Sequence, residues 1–459
     1  MQTPIRIIEK SRPMRYIPLT EEEKGKILKE IGVSSFEELI CAIPEEIRVK
    51  NDLNLPQAVC EEELLEKVYN IAKKNANFFE MKPLVGAGAY RHYVPEVVKS
   101  VMARSEFYTA YTPYQPEVSQ GTLQTMFEVQ THLSRLTGMD VVVPSLYDGA
   151  SATAEAVLMA MRLTHKNKIM LGALLHPHYK ETIKTYTAPH DVEIMEIPFE
   201  NYLTDINELE RNLDDNVACV IIQNPNFLGG IERMKAISDV VHKKQALMIE
   251  TVTESLSLAI LTSGRENGID MFTGEAQSFG MELNFGGPYN GFLATKNEFI
   301  RQLPGRIAGE TVDIEGKRAF VMTLRAREQD IKREKATSNI CTNHALNLFA
   351  IDAYLSLMGK EGLYELALLN AKSAHYLREG LISTGRFNGF AYPFFNEFVI
   401  KAKDPVEKVS EKLLQNSLIP PLRLSELFPS MENALLFAVT EIFSREDLDR
   451  IIDIFKEGV

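Results

Sequence analysis

The fold of this 459-residue chain is decided by two stretches, Ala246-Leu-Met-Ile-Glu-Thr-Val-Thr-Glu254-Ser-Leu-Ser257 and Met271-Phe-Thr-Gly-Glu-Ala-Gln277-Ser-Phe-Gly-Met-Glu-Leu-Asn-Phe-Gly-Gly-Pro288. Each opens on a short apolar run, Ala246–Val252 and Met271–Gln277, which reads as a buried strand. Each then passes into polar residues, Glu254 in one case and Gln277-Ser278 in the other. The second ends at a Gly-Gly-Pro turn. No lysine occurs between Lys244 and Lys296, so an amine nucleophile on either strand end is excluded.

The same texture continues on both sides. A helix is expected over 119–138, opened by Ser119 and closed by Gly138. Met139–Ser145 reads as a strand, and the small-residue turn Tyr147-Asp-Gly-Ala-Ser-Ala-Thr153 leads into a helix over Ala154–Lys166. Strands follow at Lys168–Ala173, Val192–Ile197 and Val217–Gln223, with helical segments from about His178 and over Asp205–Leu213. Strands separated by helices predict a mostly parallel sheet covered on both faces. Ligands of such sheets bind at the carboxyl ends of the strands, where Tyr147–Thr153, Asn224, Glu254 and Gln277–Pro288 fall.

Four regions are expected. Residues 1–13 form a mobile extension and 14–80 a helical segment, with overlapping capping boxes at Ser34–Glu37 and Ser35–Glu38. Residues 81–343 form the large sheet domain. Residues 344–459 form a linker helix from about His344 and a small α+β domain, with strands at Glu397–Lys401 and Leu435–Val439 and a closing helix over Arg445–Lys456. The net charge of −13 argues against nucleic acid or an anionic membrane as partner. Cys41, Cys60, Cys219 and Cys341 show no metal-ligand spacing, so no metal is expected. No apolar run reaches membrane-spanning length. The start, Met1-Gln-Thr-Pro-Ile-Arg, lacks the apolar core of a signal peptide, and a cytoplasmic protein is expected.

Several constellations carry chemistry, each with a plainer reading beside it. Asp148–Thr153, with Ser151 and Thr153, suits a phosphate cradle at a helix N-terminus; an ordinary glycine turn with a Ser cap reads the same. Glu254 at a strand end suits an acid that holds the ring nitrogen of pyridoxal phosphate (PLP); a surface acid at a helix start reads the same. Thr337, Ser338 and Asn339, in Ala336-Thr-Ser-Asn-Ile-Cys-Thr342, are potential anion contacts or a capped helix start. The loops Gly86–Pro95, with His92 and Tyr93, and Tyr108–Glu117, with Tyr111, Tyr114 and Gln115, are dense in Tyr, Gly and Pro and suit binding or the packing of aromatic edges.

Tyr108–Gln120 (YTAYTPYQPEVSQ), Gly286–Gly291 (GGPYNG), Pro304–Gly316 (PGRIAGETVDIEG) and Arg333–Asn343 (REKATSNICTN) resemble the P-protein family of the glycine cleavage system. The resemblance runs from Met14 to the C-terminus. At this length the chain is similar to subunit 1 (α) of the split form, in which two homologous chains replace one of twice the length. It implies PLP fold type I, with a large mostly parallel sheet domain and a small C-terminal domain. It also implies an enzyme, glycine dehydrogenase (aminomethyl-transferring), active only with subunit 2 (β), in an α2β2 assembly. In that complex glycine is decarboxylated on PLP, and its aminomethyl group passes to the lipoyl arm of the H-protein. The family's Schiff-base lysine falls near Gln277 or Ser278, so functional PLP is expected on the partner. By the same resemblance His92, Tyr93, Tyr111, Tyr114 and Gln115 line the partner's glycine site or the lipoyl entrance. Thr337, Ser338 and Asn339 touch the cofactor phosphate or the loop that holds it. Ser151, Thr153, Asn224, Glu254 and Gln277 belong to a vestigial pocket. Two other readings remain: a purely structural scaffold, and a free-standing PLP enzyme with a non-lysine base. No histidine between His242 and His344 supplies such a base.

Overall fold

The computed structural model describes residues 19–49, 54–78, 80–284 and 286–456; the expected extension at 1–13 lies outside them. The chain divides into two units, Met1–Asn75 and Ala76–Val459. In the first, helices span Glu21–Ile31, Phe36–Leu39 and Glu61–Ala72. Thr20 and Glu23 cap the first reciprocally, and Gly32 ends it in the left-handed conformation. Of the two overlapping capping boxes, the one from Ser35 is used: its hydroxyl accepts from Glu38 N. The Glu38 carboxylate turns to the backbone N–H of Ser34, so the box is shared across two residues. Helix is interrupted around Pro44 and Pro56, where proline removes a backbone donor.

In the second unit a seven-stranded sheet carries the architecture. In chain order its strands are β1 (Val141–Leu146), β2 (Lys168–Gly172), β3 (Glu193–Ile197), β4 (Val217–Gln223), β5 (Leu247–Val252), β6 (Met271–Glu275) and β7 (Gly291–Thr295). Their spatial order is β1-β7-β6-β5-β4-β2-β3. Only β7 runs antiparallel to its neighbours. β1 to β6 sit within two residues of their expected bounds, the central ones because near-continuous apolar runs are what a sheet buried on both faces demands. One core lies between one face and the helix Gln120–Thr137, the other between the opposite face and the helix Gly149–Thr164. Gly291 starts β7 where it does because the strand passes hard against the Asp148 turn: a Cβ there would stand 2.1 Å from the Asp148 carbonyl oxygen.

After β7 comes an antiparallel hairpin, β8 (Ile307–Val312) with β9 (Arg318–Thr323), which the sequence reading did not assign. Its outer half is exposed and charged, so no apolar alternation marks it. A 37-residue helix, Asn347–Ser383, follows; it breaks at Gly359, whose φ is 60°. It leads to a four-stranded antiparallel sheet with its own core, closed by the helix Arg445–Lys456. Among the described residues no helix is long and apolar enough to cross a membrane.

Candidate functional site

Strand register sets the site. Val252 of β5 pairs with Gly274 of β6, so Glu254 and Gln277-Ser278 emerge side by side from neighbouring strands. They meet directly: the Ser278 hydroxyl donates to Glu254 Oε1 at 2.6 Å. The other carboxylate oxygen accepts from Asn396 Nδ2 at 3.1 Å and contacts His92 Nε2 at 3.0 Å. The Leu256 N–H donates to Oε1 as well. The opposite ring nitrogen of His92, Nδ1, stands 2.9 Å from Glu441 Oε2. Glu441 also accepts from the Tyr93 N–H at 2.7 Å and from Asn370 Nδ2 at 3.1 Å. His92 is 4% exposed and Glu254 2%. Burial alone would push the His92 imidazole down, but the carboxylates of Glu254 and Glu441 outweigh it and raise its pKa to about 10. Against its own burial, Glu441 is lowered to about 2 by His92. His92 is therefore an imidazolium held between two carboxylates. One follows β5 of the large sheet; the other, with Asn396, borders the C-terminal four-stranded sheet.

Gln277 is equally occupied. Its carbonyl accepts the Tyr90 N–H at 3.1 Å, and its amide donates to the Met281 carbonyl at 2.8 Å. The small-residue turn before the helix Gly149–Thr164 has its acceptors built in. The Gly149 N–H donates to Glu275 Oε2 at 3.0 Å, and the Ser151 N–H and hydroxyl both donate to Asp148 Oδ1. Thr153 donates to the Gly149 carbonyl and meets Thr251 and Thr273 in a buried hydroxyl cluster. Asn224 bridges Glu250 and the Glu232 N–H. Burial raises Glu275 to about 7, against the pull of the backbone N–H groups of Gly149 and Asn290.

A pyridoxal phosphate bound by this chain does not fit these residues. Its phosphate would compete with Glu275 for the helix N-terminus. Its ring would have to open the Glu254–Ser278 bond, and its aldehyde would meet an amide at Gln277.

The aromatic loop lies elsewhere and faces outward. Tyr111 is 76% exposed and Tyr93 63%. Tyr111, Tyr114 and Gln115 line one groove of about 530 Å³. On its inner side Tyr111 and Thr112 line a cavity of about 170 Å³ with Ser145, Arg306, Thr342 and Asn343. Thr337, Ser338 and Asn339 are not in that cavity. They line a separate groove with Tyr147, Glu155, Arg162, Lys166 and Tyr186, and the Ser338 hydroxyl is spent on Glu155 at 2.7 Å. The thirteen residues singled out from the sequence thus fall into three places: a filled strand-end cluster, an exposed aromatic loop and a polar groove. His92 joins the first rather than the second. Sequence reasoning missed Arg306, Thr342 and Asn343, although all three stand in the motifs quoted above. It also missed Asn396 and Glu441, whose only local signal is a polar residue at a strand end. Among the described residues no cluster of His, Cys, Asp or Glu is arranged to hold a metal.

Comparison with known proteins gives this geometry its context. The family model of the glycine cleavage system P-protein matches residues 14–455. The probable glycine dehydrogenase (decarboxylating) subunit 1 of Geobacillus thermodenitrificans is 46% identical over 97% of this chain and 99% of its own length. A crystal structure of glycine decarboxylase (P-protein) of the glycine cleavage system, in inhibitor-bound form, superposes with a TM-score of 0.88 at 39% identity. It covers 97% of this chain and all of that one. A C-DES mutant with glycine covalently linked to its PLP cofactor shares the fold, at TM-score 0.62 and 12% identity over 84% of this chain and all of that one. The architecture is that of PLP-dependent enzymes of fold type I, and the chain belongs to the glycine cleavage system P-protein family.

Proposed function

We propose that this chain is the subunit of a glycine decarboxylase that does not hold the cofactor, and that it completes the active site of a second, PLP-bearing subunit. The complex decarboxylates glycine and transfers the aminomethyl group to the lipoyl arm of the H-protein. The subunit-1 name of its relatives supports a partner chain, and α2β2 is the assembly we propose. Four free cysteines agree with a reducing cytoplasm.

One observation carries the reading. Glu275, Glu254 and Gln277 are all engaged by protein groups, while Tyr111 and Gln115 stand exposed and Tyr114 half-buried at the groove and cavity their loop lines. The strand-end groups are closed on one another, which supports a cofactor held by the partner, and the side chains of Tyr111 and Gln115 are still available. Tyr93, next to the clamped His92, belongs to the same outward set.

The test is reconstitution. The chain alone, the partner alone and the mixture are assayed for glycine-dependent exchange of carboxyl carbon with bicarbonate in the presence of H-protein, while PLP is followed by absorbance. Exchange should need both chains, and the PLP band should travel with the partner. Tyr111→Ala complexes should form normally and exchange about 10- to 100-fold more slowly, the range for losing a positioning group. Full activity in Tyr111→Ala complexes would leave this chain as a scaffold.

A further inference from the structure

We propose that Arg306 is a positioning residue of the composite site, fixing the aromatic loop and the segment carrying Thr342 and Asn343 in the shape they present to the partner. The proposal rests on the reading that the aromatic loop completes the partner's site. Arg306 lies just before β8 and is 6% exposed. Its Nη2 donates to the Tyr114 hydroxyl at 2.7 Å and to the Cys341 carbonyl, and its Nε donates to Glu328 Oε2 at 3.2 Å. The Tyr114 hydroxyl closes the ring by donating to the same Glu328 oxygen at 3.3 Å. One planar group therefore joins four segments that are remote in sequence.

What those segments carry gives the junction its meaning. Cys341 precedes Thr342 and Asn343, which face Tyr111 and Thr112 across the 170 Å³ cavity whose wall includes Arg306. The cavity is also lined by Ser145, whose hydroxyl is buried and has no hydrogen-bond partner. Asn343 Nδ2 fixes the backbone there by donating to the Ser145 carbonyl at 2.8 Å. Arg306 is itself held in place. Arg327 donates to the carbonyls of Leu303 and Gly305 on the residues leading up to it.

A buried ion pair is a weak source of stability, and apolar side chains of like volume would fill the space as well. A guanidinium, by contrast, fixes several acceptors in one plane, which a lysine ammonium cannot do. Its position on the wall of an outward-facing cavity points to geometry rather than to stability.

The test is a double-mutant cycle in the reconstituted complex. Arg306→Lys keeps the charge and loses the fork; Tyr114→Phe removes the hydroxyl it holds. Each single variant should assemble with a melting temperature close to wild type and lose about tenfold or more in kcat for exchange. The double variant should be no slower than the slower single one, because both changes break one junction. Multiplying losses, or a fully active Arg306→Lys complex, would overturn the proposal. Should Arg306→Lys fail to assemble, Glu328→Gln replaces it in the cycle, and its full activity or its independence of Tyr114→Phe counts against the idea in the same way. Tyr111→Ala separates the two levels: if it is fully active, the composite-site reading falls and this proposal with it. If Tyr111→Ala is slow while Arg306→Lys is normal, only the positioning role falls.

Discussion

Replacing His92 by Gln tests the buried clamp most directly. The change keeps a polar group of similar reach and removes the cation between Glu254 and Glu441. In the native chain the His92 pKa stands at about 10 against 6.5 for the free side chain. At ~1.36 kcal/mol per unit that is roughly 5 kcal/mol of preference for the charged form. The lowered pKa of Glu441 is the same interaction seen from the other partner and is not added. Removing one member of a buried ion pair typically costs about 3–5 kcal/mol, because the remaining charge is left uncompensated. The variant should therefore lose on the order of 3–5 kcal/mol near pH 7. Because the folded pKa of His92 is raised, its contribution is complete below pH 6.5 and fades as the pH rises toward 10. Glu441 behaves oppositely. Its folded pKa is lowered to about 2, so its contribution holds above its ordinary value of 4.5 and is lost as the pH falls toward 2. Urea denaturation of both proteins at steps from pH 6 to pH 10 should show a gap that is widest at pH 6 and narrows steadily. Histidine-labelled NMR should find one imidazole still protonated at pH 8.5, when ordinary histidines are neutral. A His92 that titrates near 6.5, or a stability gap that stays constant across the range, would refute the clamp.

Other outcomes follow from the same geometry. Borohydride reduction of the chain with PLP, followed by peptide mapping, should leave no lysine labelled at one-to-one stoichiometry; a single such lysine would mean that the strand-end cluster opens. Gln277→Lys should not confer glycine decarboxylation on the chain alone. It should destabilise the fold by about 1–3 kcal/mol, because the buried Tyr90 N–H loses its acceptor; exchange activity without the partner, or unchanged stability, contradicts this. Gly229→Ala should sharply reduce folded yield, since a Cβ there meets the Glu397 backbone oxygen at 1.9 Å and φ is +82°; wild-type thermal stability in that variant would show that the two backbones can separate. Thr337→Ala complexes should be less impaired than Tyr111→Ala complexes, because Thr337 lines a different groove; equal losses of exchange rate would place that groove in the site.

Local patterns in the sequence reached the elements and stopped at their partners. β4 was legible as Val217–Gln223 and the last helix as Arg445–Lys456, because burial on both faces and a helical period are short-range signals. The β8–β9 hairpin was not, since charged residues on its exposed half erase the alternation. Glu254 and Gln277 were recognisable as strand-end residues from their own neighbours. Their contacts were not: His92 lies 162 residues before Glu254, and Glu441 lies 349 residues after His92. Thr337–Asn339 stood out by composition, yet the backbone just after them is held at the Cys341 carbonyl by Arg306, 35 residues earlier and outside any local window.

The filled cluster also bears on how this chain stands to a cofactor-binding relative. A protein that had only lost its lysine would keep an empty cradle at the helix N-terminus and an acid without a cation, and buried groups left that way are costly. Neither is found at these positions. Glu275 takes the Gly149 N–H; His92, Ser278 and Asn396 take the Glu254 carboxylate; and Tyr90 N and the Met281 carbonyl take Gln277. The His92 imidazolium supplies the positive charge set against both carboxylates. Because Glu441 and Asn396 flank strands of the C-terminal four-stranded sheet, the same contacts tie that sheet to the seven-stranded one without a ligand. The aromatic loop, whose Tyr114 hydroxyl is held by Arg306 and Glu328 while Tyr111 stays exposed, can then be shaped by Arg306 on that frame.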